Sequence, residues 1–456
     1  MRPHPSIQPI PQEIIHYIIQ KLATDKAALR IASSVSSSFR QPCQKLLFSH
    51  LTLKPPEISR YAPCEDLVDL LKGSPIIGSY FKSIRIEDTP YHNDELRTGP
   101  SLWLTHHKSF AEAFNLIHTA GIQKFSLFAN SFASINDRYW WYSLPPRSRQ
   151  VITRIMQSPA LVHFEAHLPA PLAIHLCCGT TVRRLDVISG IGSVAHPGFS
   201  ERNNEGGGVH LETIALSGCW GIRTLFLCLL QGNDGDQKSE GEGHNCFVDL
   251  KAVKKLKACI PSGQIYEYLA ALVLECHSLQ VFAIDTPFEQ GDSHAQHMDF
   301  SKCPDLRKIF VRGPRLRGEG QVSDIVKVAA VHLRGVPTAN LVEDVHLFFL
   351  HSLVGWSSAL EKNIIHKLCR QGPWATLDEI LSDKDRFPML KRVRVDLTTT
   401  GLRDGDDEDT TDEGVPDAAM NELLRRTEEL LPNLKQKGLL ELSIVIEEEG
   451  VEYGPI

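Results

Sequence analysis

Gly190-Ile191-Gly192-Ser193-Val194-Ala195 is the part of this chain that most resembles a phosphate-binding turn. Such a turn works when its glycines open a helix, so that backbone N–H groups face a pyrophosphate. A strand is predicted before it, but Pro197, Gly198 and a polar run come next, where the helix should start. No nucleotide is assigned to it. His294-Ala295-Gln296-His297 and His106-His107 pair imidazoles, as zinc sites do, yet neither has a cysteine or carboxylate at zinc-ligand spacing. Cys177-Cys178 fall in a predicted approach to a strand and read as packing groups. The acidic run Asp404 to Glu413 lacks the glycine that a calcium-hand loop needs at its sixth position. There is no Gly-x-Ser-x-Gly elbow and no phosphate-loop Gly-Lys-Ser/Thr, and no carboxylate pair stands out as an acid/base couple. The expectation is a non-catalytic chain with no cofactor and no metal.

The spacings that carry information are apolar. Ile14, Ile15, Ile18, Ile19 and Leu22 recur at one-turn spacing and predict a short helix with a single apolar face. Pro11 suits its first turn, and Glu13 suits the positive helix start. Asp25 is placed to cap a second helix and Ser36 a third. Ala28, Leu29, Ala32, Val35, Phe39, Cys43, Leu46 and Leu47 continue the pattern. Three such helices before residue 50 cannot each bury a face alone. They must pack together and leave part of the stripe for a partner. The plain alternative is a helical cap on the rest of the chain.

Beyond residue 75 a short template returns, apolar-x-x-apolar-x-apolar. Its copies begin at Phe81, Ile122, Leu161, Val182, Leu211, Val253, Leu279, Leu306, Val342, Leu390 and Leu439. The last two apolar positions alternate as a short strand does. Helices are predicted between copies over Lys108 to Thr119, Ser148 to Gln157, Gln264 to Cys276, Ser358 to Arg370 and Ala418 to Leu431. Strand and helix alternating at such intervals predict a repeat array in which each unit packs on its neighbours along a curved parallel sheet. Only Asn130 and Cys219 supply the asparagine or cysteine that comes after the strand in a regular leucine-rich repeat. A non-repeat α/β domain is the alternative fold.

Composition bounds the rest. The 456 residues are 42% hydrophobic and 23% charged, which suits a globular protein of two or more units. A net charge of −7 gives no steering toward nucleic acid or anionic membrane, so neither is an expected partner. No run reaches the eighteen apolar residues of a membrane span, and the N-terminus lacks the features of a secretory signal. Eleven cysteines without Cys-x-x-Cys read as reduced thiols, hence a cytoplasmic or nuclear protein. Residues 201–208, 232–243 and 401–414 are polar, glycine-rich or acidic and read as solvated loops.

The helical segment from Ile10 to about Leu53 resembles an F-box, the adaptor-binding module of cullin-RING ubiquitin ligases. The remainder of the chain looks like the leucine-rich-repeat-type region that often accompanies one. The layout is similar to fungal F-box proteins of the mushroom lineage, on Leu70-Leu71-Lys72-Gly73-Ser74-Pro75, Trp374-Ala375-Thr376-Leu377-Asp378-Glu379-Ile380-Leu381 and Phe387-Pro388-Met389-Leu390. The resemblance implies a module over 1–54 and a substrate-recognition region over 55–456. It implies that Ile10, Pro11, Ile14, Ile15, Ile18, Leu22, Val35 and Phe39 meet a Skp-type adaptor and, through it, a cullin. Ile10 stands where the family has leucine, and Phe39 where it has tryptophan. The implied function is a substrate receptor for an unidentified protein target. A repeat-type interaction scaffold without ligase association is the second reading, and an α/β enzyme the third.

Overall fold

The structure, a computed structural model, describes residues 10–55, 63–88, 103–106, 109–129, 140–168, 170–188, 209–217, 248–259, 266–285, 298–313, 322–338, 340–352, 371–400 and 417–447. The chain divides into two compact units, Met1–Val209 and His210–Ile456. Both are α/β with parallel strands.

The first unit opens with three helices, α1 (Gln12–Lys21), α2 (Lys26–Val35) and α3 (Ser37–Leu47). Asp25 caps α2 as expected, accepting from the Ala28 N–H at 2.9 Å. Ser36 stands at the N-cap of α3 but makes no capping bond. Pro11 is itself the N-cap of α1, one step before the expected first turn, and its carbonyl accepts from Ile14 and Ile15. The chain then enters β1 (His50–Leu53), which pairs with β2 (Ser83–Asp88) after α4 (Pro63–Gly73). β3 (Lys124–Ala129), β4 (His163–His167) and β5 (Arg184–Ile188) each add beside the strand before. Helices α5 (Trp103–His106), α6 (Ser109–Asn115), α7 (Trp140–Ser143), α8 (Pro146–Met156) and α9 (Ala170–Cys177) fill the crossovers.

Helix α9 was not among the expected helices. It ends at Cys177, seven residues ahead of β5, so Cys177 stands in the approach to a strand and is buried as a packing group. Leu172, Ala173, Ile174, Leu176 and Cys177 are all buried, so the run is apolar all round and shows neither helical nor strand periodicity.

The second unit runs β6 (Thr213–Ser217), β7 (Lys255–Cys259), α10 (Tyr266–Glu275), β8 (Val281–Asp285), β9 (Lys308–Arg312), α11 (Val322–Arg334), β10 (Asp344–Ser352), α12 (Gln371–Ser382), β11 (Arg392–Thr400), α13 (Asp417–Leu430), α14 (Pro432–Gln436) and β12 (Leu440–Glu447). Every recorded strand pair is parallel and joins consecutive strands. Helices α11 and α12 go beyond the expected set. The expected helix from Ser358 to Arg370, Asn130, Cys219 and the three expected loops lie outside the described residues.

The repeated template is the register of the sheets. In the first unit Ile84, Phe125, Phe164 and Leu185 align across the strands, and Ile86, Leu127, Ala166 and Val187 form the next row. In the second, Ile214, Leu256, Phe282, Ile309, Val345 and Val393 align, with Leu216, Ala258, Ile284, Val311, Leu347 and Val395 beside them. All these side chains are buried, each worth roughly 1.5–3 kcal/mol for the larger ones. The last copy is displaced by one pleat: Leu440 and Leu442, not Leu442 and Ile444, align with Val393 and Val395.

A backbone motif repeats with the template. The carbonyl after the lead apolar residue accepts two N–H groups from the next copy. Lys82 O takes Gln123 and Lys124, Gln123 O takes Val162 and His163, and Val162 O takes Arg183 and Arg184. Glu212, Lys254, Gln280, Arg307 and Glu343 do the same in the second unit. Polar backbone at the entry to these strands is thereby satisfied without a side chain.

Parallel sheets are normally covered on both faces and read as continuous apolar runs. These strands alternate instead. The apolar rows face the helices, as Phe349 of β10 shows by packing 5.5 Å from Trp374 of α12. The other face carries charged, aromatic and small side chains, most of them half-buried or exposed, with Ser126, Phe128, Ala283 and Asp396 buried among them.

Candidate recognition surfaces

The N-terminal helices sort their apolar residues into two sets. Ile15, Ile19, Leu29 and Cys43 form a small core, with Leu22, Ala32, Phe39, Leu46 and Leu47 packed against it. Ile10, Ile14 and Ile18 lie outside that core on α1 and its lead-in, 54%, 50% and 38% exposed, and Val35 at the end of α2 is 70% exposed. Pro11 is also exposed. Of the eight residues expected to meet an adaptor, five therefore face solvent, Leu22 and Phe39 are half-buried, and Ile15 is inside. A one-residue step on a helix turns a side chain by about 100°, which is why Ile14 and Ile15 part company. Tyr17 and Ile31 join the exposed set. The spacing that marks them is simple: Tyr17 follows Ile14 by three, and Ile31 precedes Val35 by four.

The open sheet face is the second surface. In the first unit its charges are mutually compensated. Lys124 Nζ lies 3.1 Å from Glu165, which also accepts from Ser126 at 2.8 Å. His163 lies 2.8 Å from Asp186, and Arg184 grips the same carboxylate with two nitrogens. Burial alone would raise the Asp186 pKa, but the bonds from His163 and Arg184 outweigh it and bring it down. Arg85 stands 4.0 Å from the centre of the Phe128 ring, and His167 stacks on that ring at 3.7 Å. Burial pushes the His167 imidazole down to about 4, against an upward pull from Glu165, so it is neutral at physiological pH.

The second unit repeats the His–Asp–Arg device. His346 lies 2.7 Å from Asp396, Arg394 donates to Asp396 at 2.8 Å, and the Ser443 hydroxyl donates to it as well. In both units the histidine stands opposite the arginine of the next strand, and the aspartate follows that arginine by two. The Asp396 side chain is only 3% exposed. Burial would raise its pKa, but its hydrogen-bond partners prevail and hold it at about 2. Ser, His and Asp are together here without forming a nucleophile. A serine is activated when its proton can pass to the histidine, and this serine donates to the aspartate.

Asp88, at the end of β2, is fully buried. Trp140 Nε1 donates to it at 2.6 Å and the Leu104 N–H at 3.3 Å. Burial raises its pKa to about 6 in spite of these donors. It ties α5 and α7 to the sheet. Between α6 and α8 an open groove of about 810 Å³ is lined by polar side chains such as Glu112, Arg147 and Gln150. Its Arg154 is committed to Asn115 and the Phe114 carbonyl.

The cysteines are mostly packing groups. Cys43, Cys64, Cys177, Cys276 and Cys303 are buried, and burial raises each thiol pKa. Cys178 departs from the expectation of reduced thiols, since it is disulfide-bonded. Among the described residues no three His, Cys, Asp or Glu side chains are grouped to hold a metal, and no helix is long and apolar enough to cross a membrane. His106 ends α5. His107, His294, His297 and Gly190 to Ala195 lie outside the described residues, as does the acidic run Asp404 to Glu413.

Compared with known proteins, the chain matches no family model and no curated protein.

Proposed function

We propose that this protein is a non-catalytic substrate receptor of a Skp/cullin/F-box-type ubiquitin ligase. Its N-terminal helices would hold a Skp-type adaptor. Its repeats would stack as a leucine-rich-repeat-like solenoid and present the open sheet face to a protein target. One observation carries the reading. Ile10 just ahead of α1, Ile14 and Ile18 on it, and Val35 at the end of α2 are exposed, and the core of these helices is already formed without them. Exposed aliphatics grouped at one end of a chain mark an interface more often than chance.

The test is binding of purified Skp-type adaptor to the full chain and to its Ile14→Asp and Ile18→Asp variants. Each change loses roughly 1.5–3 kcal/mol of burial at the interface and sets a carboxylate against apolar surface. The expected result is more than a tenfold loss of affinity, since that needs about 1.4 kcal/mol. Circular dichroism checks that the variants fold. A folded wild type that does not bind the adaptor overturns the ligase reading.

A second reading has its own observation. α3 runs directly into β1, and β1 is hydrogen-bonded to β2. The three helices would then cap the first strand of a repeat-type interaction scaffold with no ligase association.

A further inference from the structure

We propose that the β7–β9 strip of the open sheet face binds an extended acidic peptide. This rests on the reading of the sheet face as the recognition surface and names what it takes.

Lys255 and Lys257 project from β7, and Lys308, Phe310 and Arg312 from β9. Between them β8 contributes only Val281, Ala283 and Asp285 to that face. Ala283 is buried, so the middle strand is a low floor flanked by long side chains. The two flanks are two strand spacings apart, about 9.6 Å at the backbone, enough for one extended chain to lie along β8. Lys255 and Lys257 are two residues apart, about 6.6 Å, which is the repeat of same-side residues in an extended peptide.

Charge sets this strip apart from its surroundings. Among the described residues none of Lys255, Lys257 and Lys308 has a carboxylate within 4.0 Å, while the neighbouring cations do. Lys254 pairs with Glu212, Arg392 with Asp344, Arg394 with Asp396, and Lys391 with Glu343. Asp344 stands opposite Lys308 in the register but is taken by Arg392 at 2.6 Å. Asp285 is the one carboxylate in the strip's own rows, and it feels both Lys257 and Arg312 at longer range. Three lysines against the single Asp285 leave the strip cationic, although the chain as a whole has a net charge of −7. A peptide bearing carboxylates or phosphates at alternate positions would satisfy the lysines. Phe310 would back its aliphatic side chains. Nucleic acid fits less well, because among the described residues the arginines of the next strands are already paired, Arg392 with Asp344 and Glu441 and Arg394 with Asp396, so no row of open cations continues past β9 for a phosphate backbone to follow.

The experiment uses the full chain and a fluorescein-labelled decapeptide alternating glutamate and serine. The same peptide with glutamine for glutamate is the control, and anisotropy is read at low and high salt. The glutamate peptide should bind at least about tenfold more tightly, and binding should weaken with salt. Lys255→Glu/Lys257→Glu and Lys308→Glu should each lose about tenfold or more, while Lys257→Arg and Lys435→Glu should bind as wild type. Circular dichroism confirms that every variant is folded. Equal binding of the two peptides, or folded charge-reversal variants with unchanged affinity, overturns the proposal. So does an oligouridylate of equal length that binds more tightly and is lost in the same variants. Adaptor binding measured on the same preparations separates the two readings: a chain that holds the adaptor but ignores the peptide fails only this inference.

Discussion

Replacing Asp396 by asparagine removes the charge at the centre of the His346–Arg394–Ser443 cluster while nearly conserving volume. The carboxylate is buried and held at about 2, against an unperturbed value near 3.9. A folded pKa below the unfolded one means that ionisation favours the folded state. The contribution is complete above about pH 4 and is lost as pH falls through about 2. A carboxyl held at about 2 in the folded state rather than near its ordinary value contributes about 2–3 kcal/mol. The lower end is expected, because Arg394 and His346 keep contact with water at 42% and 21% side-chain exposure. At pH 7 Asp396→Asn should therefore destabilise by about 2 kcal/mol, a drop in Tm of roughly 4–8 °C for a unit of this size. Urea titrations followed through tryptophan fluorescence measure it, since Trp374 is buried against the β10 neighbour of this cluster. Asp344→Asn is the control. Its partner Arg392 is 45% exposed, so the change should cost no more than about 1 kcal/mol. The reasoning fails if Asp396→Asn costs less than the control at pH 7. It also fails if its cost is the same at pH 2 as at pH 7.

Ile15→Asp should unfold the N-terminal helices, since it puts a carboxylate into a core of four buried residues. Ile18→Asp should leave helix content and Tm nearly unchanged, and circular dichroism melts of both variants compare them directly. Asp88 has the opposite sign to Asp396. Its folded pKa of about 6 is raised by burial, so its contribution is full below about pH 4 and is lost as pH rises through 6. The stability of wild type relative to Asp88→Asn should fall by about 2–3 kcal/mol between pH 4 and pH 7, measured by urea titration at each pH. Gly335, just past α11, allows close packing: a Cβ there would stand 1.8 Å from the Met298 carbonyl oxygen. Gly335→Ala should cost at least about 1–3 kcal/mol, seen as a lowered Tm, because backbone rather than a flexible side chain must move.

The strands were legible in the sequence because their burden is local. Each strand has to turn alternate residues toward the helices, so Phe125-x-Leu127 or Val345-x-Leu347 announces itself within a few positions. The lead residue and the carbonyl after it recur for the same reason, since most strand entries solve one hydrogen-bonding problem in one way. The α1 to α3 helices and the Asp25 cap were equally local. The features that escaped were set by partners distant along the chain. Ile14 and Ile15 are equivalent in a hydrophobic pattern, and only the packing of α3 against α1 decides that Ile15 goes inside. Helix α9 gave no period because the tertiary structure surrounds it. Nor could spacing join His346 to Asp396, or Lys255 to Lys308, about fifty residues apart in each case. Their meeting depends on the parallel register, and on crossovers whose length varies from repeat to repeat. The sequence alone determined that alternate strand residues are polar. Which of those polar residues neutralise one another, and which lysines are left over, is a property of neighbouring strands and exists only once the sheet has formed.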